Sequence, residues 1–115
     1  MTVERVVLWG VVIDCADPVA LAEFWASFTG YEVAHQDDAW VSLRSPDGGD
    51  RISFQKVPEP KTVKNRVHID WRSDDRVAEV ARLRGLGATE IATRSLGDFT
   101  WTVMADPEGN EFCVS

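Results

Sequence analysis

The stretch Trp-Val-Ser-Leu-Arg-Ser-Pro-Asp-Gly (40–48) returns later in the chain as Trp-Thr-Val-Met-Ala-Asp-Pro-Glu-Gly (101–109). Each copy starts with a strand-like run and ends in a turn, where proline presets φ and glycine accepts a positive φ. Working outward from this stretch, Ile13-Asp14 returns as Ile69-Asp70, and Gly30 returns as Gly87. Matches that keep their order along a chain indicate two copies of one structural unit.

The first copy begins with a β-rich run, Arg5–Asp14, and continues into a predicted helix. Asp17 is a favourable N-cap, Pro18 suits the first helical position, and Gly30 supplies a left-handed stop. An apolar stripe at i, i+3, i+4 and i+7 predicts packing of this helix on a sheet. Its members are Leu21, Phe24, Trp25 and Phe28.

The second copy repeats the pattern, with a first strand at Arg66–Trp71. Its helix is predicted to start near Ser73, where Asp74 and Asp75 suit the positive end of the helix dipole. A thinner apolar stripe follows, and Gly85 or Gly87 ends the helix. This stripe consists of Val77, Val80 and Leu83.

Three short strands follow each helix, which makes the element order βαβββ–linker–βαβββ. They are expected near residues 31–35, 39–44 and 51–56, and again near 89–93, 99–104 and 111–115. The segment 57–65 carries prolines and lysines and is predicted to be a linker. We therefore expect one α+β domain over residues 1–115, with a first module at about 1–57 and a second at about 65–115.

Composition narrows the class of protein. The formal net charge is −7, from 19 acidic and 12 basic residues, which disfavours nucleic acid and anionic membranes as partners. The apolar run Val6–Ile13 is too short to span a bilayer, and we interpret it as a buried strand. Two cysteines without a signal peptide are typical of a reducing compartment, so we expect a cytoplasmic protein.

Several of these pieces together resemble the vicinal-oxygen-chelate superfamily, which includes glyoxalase I, bleomycin-resistance proteins and extradiol dioxygenases. They are Asp17-Pro18 leading to Phe24-Trp25 and Gly30, then 67–70 (Val-His-Ile-Asp), then 105–111 (Ala-Asp-Pro-Glu-Gly-Asn-Glu). The similarity is greatest to a small glyoxalase-like branch whose helix carries Phe-Trp. It implies eight strands closed into a cup, helices on the outer face, a ligand inside, and a homodimer.

Strand alternation sorts the side chains that would line this cup. Its walls would carry two tryptophans, two arginines and smaller polar groups. These candidate ligand-binding residues are Trp40, Trp101, Arg44, Arg72, Ser53, Gln55 and Cys113. Such a set suits a planar or aromatic molecule stacked on indole and held at its edge. The alternative, in which both tryptophans simply fill the cup as core, stays open.

The resemblance also raises the question of a metal, because metal-dependent relatives hold a divalent ion with His, Glu or Gln. Only His68 matches a ligand position. Its counterpart is Gly10, or Val12 if the register slips, and the carboxylate positions fall at Cys113 and Ser53. A catalytic metal needs about three protein ligands.

We therefore expect no cofactor and assign no metal ligands. A divalent ion bound through His68, with Cys113 as a soft partner, is the alternative. Asp14, Asp70 or Glu111 could substitute as ligands, but strand neighbours at i and i+2 rarely converge on one ion.

The leading functional hypothesis is a glyoxalase-like protein that takes a small organic molecule into the cup. If it is an enzyme, isomerase or lyase chemistry by proton transfer is expected. His68 would be the general base, Asp70 or Asp14 would orient it, and Arg44 or Arg72 would stabilise an oxyanion. Two alternatives remain: sequestration of a ligand without chemistry, as in bleomycin-resistance proteins, and a metal-dependent glyoxalase or dioxygenase.

Overall fold

The computed structural model describes residues 6–115 and confirms an α+β fold of two tandem βαβββ units. The first unit contains β1 (Val11–Cys15), α1 (Pro18–Thr29), β2 (Glu32–Gln36), β3 (Trp40–Arg44) and β4 (Arg51–Lys56). The second contains β5 (Ile69–Trp71), α2 (Arg76–Gly85), β6 (Thr89–Leu96), β7 (Phe99–Ala105) and β8 (Glu111–Val114).

Each unit forms its own four-stranded sheet. The first sheet has the order β1-β4-β3-β2 and the second has the order β5-β8-β7-β6. In both sheets the first strand of the unit pairs in parallel with the last, and the remaining pairs are antiparallel. One face of each sheet packs against helix and core. Closure of the two opposite faces into a single cup stays a prediction.

Helix α1 follows the predicted local rules closely. The Asp17 side chain accepts a hydrogen bond from the Ala20 amide, Pro18 opens the helix, and Gly30 ends it with a φ of 76°. Of the apolar stripe, Leu21, Phe24 and Trp25 are buried in the core. This helix covers one face of the first sheet because its stripe matches the buried sides of β3 and β4.

Helix α2 begins later than predicted. Asp75 rather than Ser73 is the N-cap, since its side chain accepts a hydrogen bond from the Ala78 amide. Val80 and Leu83 are buried as expected, but Val77 is 67% exposed. The prediction that Val77 belongs to the buried stripe is therefore wrong, because the later start of the helix leaves it in the first turn, facing away from the sheet.

The start of the chain also differs from the prediction. Strand β1 begins at Val11, and the side chains from Val6 to Trp9 are exposed, so the interpretation of 6–13 as one buried strand is wrong for its first half. Arg5, where that run was expected to begin, lies outside the described residues. Among the residues that the structure describes, no helix has the length and apolar character needed to cross a membrane.

The stretch Asp-Pro-Glu-Gly-Asn (106–110) joins the two units. The Glu108 carboxylate accepts hydrogen bonds from the backbone amides of Ala16, at 2.6 Å, and Asp17, at 3.0 Å, which precede α1. Buried Asp106 accepts one from the Trp25 indole at 3.0 Å. Burial raises the pKa of Asp106, although the hydrogen bonds that Asp106 itself accepts, from Trp25, Asn110 and the Glu108 amide, act in the opposite direction. This part of the family-like pattern is therefore structural: it ties the second unit to the first helix.

Candidate functional site

A cavity of about 380 Å³ lies on the open face of the second sheet, where β5, β8 and β7 run side by side. We call it the second-sheet cavity. Its lining is mostly apolar on the side of the β6–β7 hairpin and polar on the side of β5. It is formed by His68, Asp70, Trp71, Leu96, Phe99, Trp101, Cys113 and Ser115.

The hairpin side of the cavity is an aromatic wall. Phe99 and Trp101 lie two residues apart on β7, so strand alternation places them on one face. Their ring centroids are 5.6 Å apart with planes inclined by 29°, a stacked arrangement. Leu96, opposite Phe99 on β6, extends the wall, and both residues are exposed. A flat apolar surface open to solvent is suited to stacking against a planar molecule.

The β5 side carries a histidine–carboxylate pair. His68 Nε2 lies 3.2 Å from Asp70 Oδ1. The two side chains are 50% and 77% exposed, so both are reachable from the cavity and from solvent. A carboxylate at one ring nitrogen fixes the tautomer and orientation of an imidazole and leaves the other nitrogen for a ligand.

Cys113 lies behind this pair, on the adjacent strand β8 and opposite Asp70. Its residue is only 7% exposed. Burial raises the pKa of the Cys113 thiol, and the charge and hydrogen bonding of Asp70 raise it further. A thiol held protonated is a poor nucleophile, so covalent catalysis by Cys113 has no support in this geometry.

The sheet register corrects one equivalence between the two units. In the first sheet Arg44 pairs with Arg51, and at the same place in the second sheet Ala105 pairs with Glu111. Two residues further along the last strand of each unit lie Ser53 and Cys113, which are therefore counterparts. Ser53 lies opposite Val12, whereas Cys113 lies opposite Asp70. The counterpart of Asp70 is therefore Val12, and the assumption that Asp14 is its repeat mate is wrong. The matching Ile-Asp pairs are shifted by two residues along their strands.

The same register makes Gly10 the counterpart of His68. A Cβ atom at Gly10 would lie 2.9 Å from both the Cβ and the carbonyl oxygen of Arg51. Backbone that close leaves no room for a side chain without a shift, so the first sheet has no space for a histidine there.

The other candidate residues lie on the first sheet or at strand ends. Trp40 pairs with Gln55. The Ser53 hydroxyl is 3.0 Å from that of Ser42, and both serines are buried. None of the first-sheet candidates is among the described residues that line the second-sheet cavity, and Arg72 is also outside the lining. The first-sheet candidates are Trp40, Arg44, Ser53 and Gln55.

Asp14 lines a different cavity, of about 480 Å³, between β1, β5 and the segment after β4. His68 borders this cavity as well as the second-sheet cavity. Of the two carboxylates expected to orient His68, the structure thus places Asp70 in contact with it, whereas Asp14 shares with it only the lining of this other cavity.

Three lining residues were not expected from the sequence. Phe99 and Leu96 flank the hairpin turn at Gly97, whose φ is 59°. Phe99 opens β7, which the sequence predicts at 99–104, and strand alternation places it on the same face as Trp101. The third residue, Trp71, packs on the core side of its sheet, with its ring centroid 5.2 Å from that of Phe28. The edge of the Trp71 ring also reaches the cavity, because β5 is the outermost strand of the second sheet.

Comparison with known proteins agrees with this architecture. The family model described as "Glyoxalase-like domain" matches residues 10–115, so the chain belongs to the glyoxalase-like domain family. A search of curated protein sequences finds no match.

Solved structures of the glyoxalase/bleomycin resistance/dioxygenase superfamily share the fold. One is a family enzyme of Burkholderia phytofirmans PsJN, with a TM-score of 0.75, 22% identity, and coverage of 90% of this chain and 93% of that chain. Another is FosX, a fosfomycin resistance protein of Listeria monocytogenes complexed with Mn(II), with a TM-score of 0.79, 13% identity, and coverage of 98% and 90%. A possible glyoxalase of Bacillus cereus has a TM-score of 0.72, 19% identity, and coverage of 96% and 98%.

The residues of this chain do not fit a hard ion such as Mn(II). Such ions prefer oxygen ligands in near-octahedral geometry, and the cluster found among the described residues supplies one carboxylate, that of Asp70. The first sheet offers Gly10, Val12 and Ser53 at the equivalent positions, and Gly10 is closed to any side chain. The remaining cluster of His68, Asp70 and Cys113 includes a sulfur atom and comes entirely from the second sheet.

Proposed function

We propose that this protein binds a small planar organic molecule in the second-sheet cavity. The observation that carries the proposal is the arrangement of an aromatic wall, Phe99 and Trp101, and a histidine–carboxylate pair around one cavity. The wall stacks on the flat face of the molecule, and His68 meets a polar substituent at its edge. An open apolar surface of this kind is unusual on a soluble domain unless something binds there.

The reaction that we propose for this site is proton transfer, of the isomerase or lyase kind. The contact of His68 Nε2 with Asp70 supports this choice. Asp70 holds the ring in one orientation, and Nδ1 of His68 takes the proton from the bound molecule. No metal takes part in this scheme.

The test uses the two histidines of the chain as a matched pair. Wild type is incubated with a panel of planar phenols and aromatic acids, and bound compounds are recovered by ultrafiltration and identified by mass spectrometry. We expect His68→Ala to abolish any conversion, and His35→Ala to leave it unchanged. His35 is the right control because it also contacts a carboxylate, Asp37 at 2.8 Å, but lies on the first sheet.

A conversion that survives in His68→Ala would contradict the role of this residue as the base. Compounds that bind tightly and return unchanged would instead support a second function, sequestration. The stacked pair of Phe99 and Trp101 favours this alternative because stacking needs no reactive group. It corresponds to the bleomycin-resistance type of protein in the same superfamily.

We also propose that the protein is a homodimer. Apolar side chains outside the second-sheet cavity remain exposed in a single chain, among them Leu8 at 88% and Trp9 at 76%. A second copy could cover part of this surface. Sedimentation velocity is expected to give about twice the chain mass of 12.8 kDa, and a species of 12.8 kDa at micromolar concentration would contradict it.

A further inference from the structure

We propose that a further cavity, between the two units, binds a small aromatic carboxylate of the benzoate class. This cavity has a volume of about 260 Å³ and lies where the starts of β1 and β4 meet the end of β5. We call it the inter-unit cavity. The lining residues that bear on its chemistry are Trp9, Tyr31, Asp50, Arg51, Asp70 and Trp71.

Arg51 is the positive group of the inter-unit cavity. Its guanidinium carbon lies 5.0 Å from the centroid of the Trp9 ring, which is a cation–π contact. Stacking holds the flat guanidinium by its face and leaves the N–H groups at its edge free for a carboxylate. One of them, at Nη1, makes a long hydrogen bond of 3.5 Å to the Ser42 hydroxyl. The protein therefore uses the donors of Arg51 only in part.

The strand neighbours of Arg51 supply no negative charge. Arg44 lies directly opposite on β3, and like charges in that position repel each other. On the β1 side the neighbour is Gly10, where an added Cβ would lie 2.9 Å from the Cβ of Arg51. Within residues 6–115 the structure shows no ion pair between Arg51 and a carboxylate. A bound carboxylate would supply the missing negative charge.

Both carboxylates in the lining already have partners. Asp50 Oδ2 accepts a hydrogen bond from the Tyr31 hydroxyl at 3.4 Å. Asp70 Oδ1 lies 3.2 Å from Nε2 of His68. The unmatched charge of the cavity is therefore that of Arg51, so an anion fits it better than a cation.

Trp71 provides a second, independent donor without a partner. Its Nε1 is buried and has no hydrogen-bond acceptor in the part of the chain that the structure describes. A buried donor left unpaired costs free energy, which an acceptor would recover. Solvent does not reach this nitrogen, so a ligand oxygen meets it after a small turn of the ring in the cavity lining. Two unsatisfied donors require a ligand that brings oxygen acceptors.

The rest of the lining determines the size and shape of the ligand. The rings of Tyr31 and Trp71 meet edge to face with centroids 6.1 Å apart, and the Trp9 ring lies beside Arg51. Such rings pack well against a flat apolar body. The cavity is smaller than the roughly 300–1,000 Å³ of sites for drug-sized ligands, so an acid with a single ring is the class that fits.

The test is a titration of the ¹⁵N-labelled full-length protein with sodium benzoate, followed through the indole N–H resonances of its five tryptophans. Single Trp→Phe substitutions assign each resonance. We expect a saturable downfield shift of the Trp71 resonance, because its N–H gains a charged acceptor. The Trp25 resonance should stay in place, since that N–H already donates to Asp106. A Trp71 resonance that does not move at millimolar benzoate would overturn the proposal.

Two arginines supply a matched pair of variants. Arg51→Gln should weaken benzoate binding by about tenfold or more, because a charge-assisted contact is lost. Arg44→Gln removes the same charge from the opposite strand position, outside the lining, and should weaken binding by less than about threefold. Equal losses would mean that benzoate responds to net charge alone, and would refute the site.

Benzamide tests the need for a negative charge in the ligand. It has the shape of benzoate without the charge, so it should bind to wild type at least about tenfold more weakly. Equal affinities would contradict the role of Arg51. This comparison needs no variant and therefore decides the question even if Arg51→Gln disturbs folding, which circular dichroism of each variant checks.

The outcome can be separated from that of the proposed function. Asp70 and Trp71 are the residues that the inter-unit and second-sheet cavities share. The shift of the Trp71 resonance should persist in Trp101→Ala and weaken in Arg51→Gln. The reverse pattern would place benzoate in the second-sheet cavity, which would overturn this inference and leave the proposed function standing.

Discussion

Cys15 illustrates how a buried side chain sets the response of this protein to pH. The residue is 3% exposed, and its thiol donates to the carbonyl of Gln55. Burial, followed by the negative charges of Glu108 and Asp106, raises the pKa of Cys15 from 9.0 to about 12. The folded protein therefore holds this proton more tightly than the unfolded chain does.

A loss of stability at alkaline pH follows from this shift. The contribution of Cys15 is fully present below about pH 9 and is lost as the pH rises towards about 12, because the unfolded chain releases the proton first. Urea unfolding at a series of pH values should show a fall in the free energy of unfolding over this range, and Cys15→Ala should make the fall shallower. Ile13→Val, on the same strand, should lower stability without changing the slope. Equal slopes in wild type and Cys15→Ala would contradict the assignment.

At the scale of single residues, strand alternation predicted which face His68, Asp70, Cys113 and Trp101 share. It could not tell that Trp40, the sequence match of Trp101, lies on a different sheet with a different set of neighbours. The equivalence of Asp14 and Asp70 was wrong because a match between two short sequences does not detect a shift of two residues in strand register. Register depends on hydrogen bonding between strands distant in sequence, which a local pattern does not contain.

At the scale of elements, Glu108 caps the start of helix α1 although it is distant from that helix in sequence. Its carboxylate accepts from the amides of Ala16 and Asp17, where the positive end of the α1 dipole lies. Glu108→Ala removes two charge-assisted hydrogen bonds, so we expect a loss of about 1–2 kcal/mol in the free energy of unfolding by urea.

Glu23→Ala is the matched control for this change, since Glu23 is an exposed carboxylate in the same helix. It should alter stability by less than about 0.5 kcal/mol. Equal effects of the two substitutions would show that the loss comes from charge alone and not from the contact at the helix start.

Local chemistry explains which elements were predictable. The ends of α1 are set by Asp17, Pro18 and Gly30 through contacts within a few residues, and the sequence contains all of that information. The start of α2 was misplaced because Ser73, Asp74 and Asp75 can each cap a helix, and tertiary packing selects Asp75. The exposure of Val6–Trp9 likewise depends on what the chain packs against, not on its own composition.

At the scale of the molecule, one aromatic cluster belongs to both units. The Trp25 ring lies 6.4 Å from that of Phe54 in the first unit and 5.0 Å from that of Phe112 in the second, measured between centroids. The indole N–H donates to Asp106, which also accepts from the Asn110 side chain and from the Glu108 amide. We therefore expect the two units to unfold together.

Asp106→Ala tests how much this hydrogen-bond network contributes to stability. Removing the carboxylate leaves buried donors without a partner, each costing about 1–3 kcal/mol, so stability should fall by about 3 kcal/mol or more. Ser45→Ala, at the equivalent turn of the first unit, should cost only about 1 kcal/mol.

Far-ultraviolet circular dichroism and tryptophan fluorescence should report one coincident transition in wild type. Two separate transitions would show that the units are independent.

The two-unit fold could be predicted from the sequence because the repeat and the turn motifs fix the order of elements. How the two sheets sit relative to each other could not be predicted, since that depends on contacts such as those of Glu108 and Asp106 with α1. The expected single cup therefore placed Trp40 and Trp101 in one site, whereas the structure gathers Trp101, Phe99 and His68 around a cavity of the second sheet.

The most direct test of this one-sheet site is a binding titration with Nile red, a neutral planar dye whose emission increases in apolar surroundings. A neutral probe is preferable because the protein carries a formal charge of −7. The account predicts that Trp101→Ala weakens binding by about tenfold or more, while Trp40→Ala binds like wild type. Equal losses in both variants would mean that both sheets form the binding site, and no loss in Trp101→Ala would mean that the second-sheet cavity is not the site.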